Sequence, residues 1–418
     1  MKRVLLASTA LCLGAGTAFA QDAMMDGPSV ALSGSAEMGV AGEKDKSVRF
    51  HTDIDVTFKA TGTMDSGVTW SADVDLDEGG TGAPAHANDD DDGGVTISIS
   101  QPEGFGTLTM GDVDGALDWA MDEIGSGGIR DDSEHWAYSG NGGLDAEHDN
   151  QILQWNRVIG SGFSLGASVE LFDHDDDDPS HDPIIGLGGK YSMGMGAGTL
   201  DLGGGFQMGS FDRTVWDGTP NRTAIWGEGS DPGALGGADD THKGHEIEGT
   251  MVGGSAKMDF GGDMGGIAVT LNASMGEFDG SRPGTADTAG INRTIDGEYT
   301  HLGLGLSYTV GAISLGANVG SEVYEYTVDR DGRANQTNDV TMFEETDTGV
   351  GFDVAYDLGG GASLKFGFGS SEEELDWDYE SGVAPSRPDN AADGSTRNEW
   401  HDRSSDTNKW SLGVAFKF

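Results

Sequence analysis

The chain has 418 residues, with 72 acidic against 23 basic side chains and a formal charge of −49, which makes nucleic acid and anionic membrane surfaces poor partners. Its 71 glycines lack the every-third spacing of collagen, and a hydrophobic fraction of 36% with nine tryptophans argues against disorder. Small cations or a saline exterior suit such a charge.

Residues 1–20 combine a basic start (Lys2, Arg3), an apolar run over 4–13 and the small-residue exit Ala18-Phe19-Ala20. This is the pattern of a cleaved secretory signal peptide that leaves Gln21 first. The one cysteine, Cys12, lies inside it. Leu11 just before it is too large for lipoprotein processing, so the mature chain is expected to carry neither thiol nor lipid anchor. After Ala20 no stretch approaches the roughly 18 apolar residues of a spanning helix.

Alternation supplies the first strands. Residues 29–41 place Val30, Leu32, Met38 and Val40 on one face. Residues 47–60 place Val48, Phe50, Ile54, Val56, Phe58 and Ala60 on one face, with Arg49, His51, Asp53, Asp55, Thr57 and Lys59 on the other. A strand with one oily and one charged face needs a different solvent on each side, and an outer-membrane β-barrel supplies lipid outside and water inside. Slipping 47–60 by one residue would turn Arg49 and Lys59 toward lipid, at about 2–4 kcal/mol each near the midplane, so the register is well specified.

The same parity continues through 68–77, 95–100 and 105–110, the last two joined by Gln101-Pro102-Glu103-Gly104. Further strands are expected at 151–159, 163–171, 184–193, 199–209, 246–260, 267–277, 299–310 and 312–326. The last three are 349–358, 363–370 and 409–418. Parity slips near Gln151, Glu246 and Phe105. Sixteen strands result, an even number as single-chain bacterial barrels require. Short glycine-rich turns (160–162, 311, 359–361) alternate with long acidic loops (78–93, 111–150, 172–183, 210–243, 278–296, 327–345, 371–408). The aspartate runs 89–92 and 175–178 read as solvated loop tips. Trp70, Trp155, Tyr191, Tyr308, Trp410 and Phe418 read as an interfacial girdle or as protomer contacts.

Several catalytic and metal patterns fail on context. Gly162-Phe163-Ser164-Leu165-Gly166 matches a nucleophile elbow by letter, but Ala167, Val169 and Leu171 continue a strand where that motif needs a helix. Asp73, Asp75 and Asp77 open like a calcium loop, yet Pro84 stands at the bidentate position; the set Asn88, Asp90, Asp92 ends on Ile99. His242 and His245 sit in a long loop without a helix to organise them.

Five stretches, in order, carry a family resemblance: LSGSAEMGV over 32–40, TGTMDSGVTW over 61–70, GFGTLTMGDVDGA over 104–116, YDLGGGASL over 356–364 and the ending LGVAFKF. The chain resembles the alphaproteobacterial, Rhodobacter-type general-diffusion porins. The resemblance implies an all-β, 16-stranded antiparallel transmembrane barrel over 21–418, assembled as a homotrimer in outer-membrane lipid and lipopolysaccharide. Its terminal Phe418 looks like the signal read by outer-membrane assembly machinery.

The resemblance further implies that the third long loop, by position 111–150, folds into the lumen and opposes a basic wall. Its acids are Asp112, Asp114, Asp118, Asp122, Glu123, Asp131, Asp132 and Glu134, followed by Asp145, Glu147 and Asp149. The basic wall would be Arg49, Lys59, Lys190 and Lys365, all of inward parity, with Arg49 foremost. The implied function is a water-filled channel for passive diffusion of ions and small hydrophilic solutes. It needs no catalysis and no cofactor, and calcium is expected at loop carboxylates without a residue-level site. The excess of acids over bases predicts a preference for cations. Two rivals are a substrate-specific channel, which would show an aromatic track or dense basic ladder, and a secreted calcium-binding β-solenoid or adhesin, which would show a short fixed repeat. None of these features is found in the sequence.

Overall fold

The computed structural model describes residues 27–80, 94–125, 127–135, 137–138, 140–141, 143–145, 151–171, 182–196, 198–213, 245–261, 266–282, 292–331, 339–380 and 401–418. The predicted leader, the aspartate runs 89–92 and 175–178, His242, Glu147 and Asp149 lie outside the described residues.

The strands are β1 (Ser29–Glu43), β2 (Arg49–Thr63), β3 (Thr69–Gly80), β4 (Val95–Gln101) and β5 (Gly106–Gly111). A short helix, α1 (Ala116–Ala120), precedes β6 (Ile152–Gly160), β7 (Phe163–Glu170), β8 (Ile184–Met195) and β9 (Gly198–Arg213). Then follow β10 (His245–Phe260), β11 (Gly266–Arg282), β12 (Asn292–Val310), β13 (Ile313–Asp331), β14 (Asp339–Gly359), β15 (Ala362–Glu380) and β16 (His401–Lys417). Every strand pairs with its sequence neighbours and β1 pairs with β16, closing an antiparallel barrel of sixteen strands. Closure removes every sheet edge, the condition for crossing lipid with strands. Phe418 sits on the seam, where its N–H and C=O exchange bonds of 3.0 Å with Gly34. Among the described residues no helix is long and apolar enough to cross a membrane.

The outward face carries the oily residues. Val30, Leu32 and Met38 on β1, Phe50, Ile54 and Phe58 on β2, and Leu302, Leu304 and Leu306 on β12 are all exposed. Phe163, Tyr191, Phe260, Tyr308 and Tyr356 stand at the short-turn ends of their strands, where an aromatic girdle belongs. Trp155 anchors there too, its indole N–H donating to the Phe105 carbonyl at 2.6 Å. Trp410 lies farther from that rim, opposite Gly42.

β12 to β16 run farther toward the long loops than alternation predicts. β14 begins at Asp339 rather than 349, and β15 continues to Glu380 rather than 370. In these extensions Glu344 to Thr348 and Ser370 to Glu374 are polar on both faces. The hydrogen-bond ladder persists above the apolar band, but with polar residues on both faces the hydrophobic period that reveals a strand is gone, even though inward Glu345, Asp347 and Ser371 are buried.

The parity slips near Gln151 and Glu246 also have a cause. Ile152 on β6, Ile247 and Met251 on β10 and Phe278 on β11 point inward and are buried. They are covered from within the lumen. Leu117, Met121 and Leu144 of the β5–β6 loop pack with Ile184, Ile247, Met251, Phe278 and Tyr299 in one apolar cluster.

Candidate functional site

The loop between β5 and β6 turns inward at Gly111, whose φ of 132° suits glycine and whose α-carbon faces the Val95 carbonyl so closely that a Cβ would overlap it. The loop then follows the inner wall. The Ala116 N–H donates to Ser168 Oγ on β7 (2.8 Å), the Asp122 N–H to Ser255 Oγ on β10 (2.7 Å), and the Ile129 N–H to Ser411 Oγ on β16 (3.1 Å). On the return, Asn141 Oδ1 accepts from Asn272 Nδ2 on β11 at 2.7 Å, and the Leu144 N–H donates to Gln207 Oε1 on β9 at 2.8 Å. Each such bond is worth about 1 kcal/mol net, and losing one partner leaves a buried polar group unsatisfied.

Glycine makes the close approach feasible. A Cβ at Gly203 on β9 would overlap the Ala120 carbonyl oxygen, and one at Gly351 on β14 would overlap that of Ser133. The sequence places glycine in the short turns; inward-facing glycines are also the floor on which the loop backbone lies.

The loop acids divide by depth. Asp112 and Asp131 are exposed, whereas Asp114, Asp118, Asp122, Glu123 and Glu134 are half-buried. Asp132 is fully buried (0% exposed) behind the loop, against β15 and β16, and does not line the lumen as predicted. Its backbone turns there because Asp131 adopts a left-handed φ of 47°. Burial pushes the Asp114 carboxyl up to about 7, helped by repulsion from Asp118 and opposed by Lys190. Burial likewise raises Glu123 to about 8, with Asp118, Asp114 and Glu134 adding repulsion. Asp118 is raised by burial and held back by the bond it accepts from Asn141 Nδ2 at 2.6 Å. Burial also lowers His135 to about 4, so its imidazole is neutral near pH 7.

The four predicted bases do not gather opposite the loop. Lys190 on β8 lies on the loop's own side, its ammonium 4.8 Å from the centre of the Trp119 ring on α1 and within Coulombic range of Asp114, Asp118, Asp122 and Asp201. The other three stand on β2 and β15, each beside a wall carboxylate. Arg49 is 3.5 Å from Glu43, Lys59 is 3.0 Å from Asp73, and Lys365 reaches over Gly413 to Glu37 at 2.7 Å. Arg49, expected to oppose the loop acids, has its ion partner on the neighbouring strand at the long-loop end of β2. The rest of the uncovered wall is polar: Thr57 bonds Asp75 (3.0 Å), Ser35 bonds Asp55 (2.8 Å) and Ser71 bonds Ser98 (2.8 Å). Asp112, where the loop leaves β5, lies within Coulombic range of Asp75.

A barrel of sixteen strands with a loop laid along its lumen can pass water-borne solutes and sort them by size and charge. The model of the Gram-negative porins matches residues 7–376. The chain belongs to that family. Its barrel is similar to a refined porin structure with 20% identity and a TM-score of 0.50, covering 93% of this porin and 100% of that chain. It is also similar to a loop L8 deletion mutant of OmpT, an outer membrane protein of Vibrio cholerae, with 11% identity and a TM-score of 0.51, covering 94% and 99%. At these identities the likeness is one of fold. No curated protein matches the chain.

Reading the sequence missed the side chains that seat the loop: Ser168, Gln207, Ser255, Asn272 and Ser411, with Asn318 donating to the Ser133 carbonyl at 3.1 Å. Their signal was present as hydroxyls and amides at inward positions amid strands, alternating with glycine.

Proposed function

We propose that this porin is a passive, cation-preferring channel for ions and small hydrophilic solutes, exported by the leader 1–20 and working without catalysis or a cofactor. The observation that supports it most is the fate of the bases. Arg49, Lys59 and Lys365 each stand beside a wall carboxylate, and Lys190 sits among the loop acids, so none supplies an uncompensated positive wall. Exposed Asp112 and Asp131 then leave the lumen negative, which concentrates cations and depletes anions.

Assembly as a homotrimer in lipid and lipopolysaccharide belongs to the same proposal. β4 and β5 have seven and six residues, short of the about 9–11 that a tilted strand needs to cross a bilayer, so cover from a second protomer suits that face. Calcium enters as a counter-ion of the acidic long-loop rim, not as a required cofactor. In a planar bilayer under a potassium chloride gradient, the purified porin should give stepwise conductance with a reversal potential of the cation-selective sign. The anion-selective sign would overturn the charge argument, and absence of conductance would overturn the channel.

A further inference from the structure

The tight β1–β2 hairpin sets Gly39 opposite His51 and Glu37 opposite Asp53. All four are on the inward face. Glu37, His51 and Asp53 each offer one ligand atom, and these atoms lie within 4.8 Å of one another. His51 is 4% exposed, and the Ile129 side chain of the loop fills the space over Gly39, its register partner.

The donor chemistry is specific. Calcium and magnesium take oxygen ligands, whereas an imidazole among carboxylates suits zinc and its first-row neighbours. Two carboxylates also lower the charge that a divalent ion would bring. Lys365 donates to Glu37 Oε1, leaving the second oxygen for another partner, and Asp131 of the loop lies within Coulombic range of Glu37.

We propose that Glu37, His51 and Asp53 form a site for a divalent transition-metal ion of the zinc class on the pore wall. Ligands of a tetrahedral zinc stand about 3.4 Å apart, so binding draws the three side chains inward. Three protein ligands leave the fourth position to lumen water. A bound dication places positive charge on the wall near Asp131, and cation flux falls.

The site stands apart from the channel reading and is tested by binding. Folded porin in detergent, checked by its heat-modifiable mobility, is titrated with zinc chloride and separately with calcium chloride. One saturable zinc site is expected, at least about tenfold tighter than any calcium site. His51→Ala should weaken zinc at least about tenfold and leave calcium unchanged, and Asp53→Asn carries the same test if His51→Ala does not fold. Glu373→Gln, in an all-carboxylate group on β14 and β15, should leave zinc affinity intact. Equal zinc and calcium affinities, or zinc affinity untouched in both His51→Ala and Asp53→Asn, would show that acids alone hold the ion and overturn the site. In bilayers zinc should reduce the conductance of the unmodified porin and spare His51→Ala. Binding without any conductance in either protein would count against the channel and leave the site standing.

Discussion

From β7 round to β16 much of the inner wall is glycine, serine and amide side chains pressed against the loop, with Ile184, Ile247, Met251 and Phe278 packed under its apolar residues, whereas β2 to β4 carry Asp55, Thr57, Lys59, Asp73 and Asp75 with none of the described loop residues laid on them. Both stretches obey the same inward parity. They differ in what covers them. At glycines such as Gly203 and Gly351 backbone meets backbone, so a side chain there is an obstacle, and each hydroxyl or amide under the loop must find a loop N–H or C=O. On the uncovered wall charges can stay, because each has water, a hydroxyl or an opposite charge beside it. The covered wall positions the loop; the uncovered wall and the loop's exposed acids set the field.

The strongest way to break this contrast is to put volume on the covered wall. Gly203→Val and Gly351→Val drive a side chain into the loop carbonyls of Ala120 and Ser133, a cost of about 1–3 kcal/mol in overpacking. The barrel should still close, while limited proteolysis within the loop accelerates and single-channel conductance changes. Thr57→Val on the uncovered wall should do neither. Equal responses at the two places would mean that the loop is not seated on glycine.

A second effect comes from pH. Asp114 and Glu123 rest near 7 and 8 when the loop is docked, against about 4 for a solvated carboxyl. Over the range between, the docked loop binds protons that a released loop does not, so docking is favoured in acid and weakens as pH rises through about 7 to 8. Between about pH 6 and pH 9 the loop should become easier to cleave and the channel more cation-preferring. The double variant Asp114→Asn with Glu123→Gln should flatten both trends, and an unaltered pH profile would remove these carboxyls from the account.

The smallest expected effect is at Lys190. Lys190→Met keeps contact with Trp119 through its thioether and removes an ammonium within Coulombic range of Asp114, Asp118, Asp122 and Asp201. Cation preference should rise by a factor on the order of two, measured as the permeability ratio under a salt gradient. No change would place Lys190 outside the permeation path.

Much of the barrel could be read before any coordinates. The expected strand 29–41 is Ser29–Glu43, and 163–171 is Phe163–Glu170, because each carries a full hydrophobic period across the lipid band. The extensions of β12 to β16 could not be read, since Glu344 to Thr348 have no apolar partner face. The loop at 111–150 was found by position, but the depth of its acids was not. Asp131 and Asp132 are neighbours in sequence, one exposed and one fully buried, and only the turn at Asp131 separates them. His51 drew no notice as a ligand because its partners are two strand positions away on one side and across a hairpin on the other.

What the amino-acid order determined by itself is the wall: the sign of each face, the count of strands, the alternation of short turns and long loops. That follows from local physics, since within the apolar band outward positions meet lipid and inward ones meet something polar or crowded. What only the tertiary structure decided is the pore. Which inward glycine lies under a backbone, which acid is pushed up by burial, and where Lys190 finds its counter-charges depend on a loop crossing the lumen to strands far away in sequence. Contacts of that range leave no period to read.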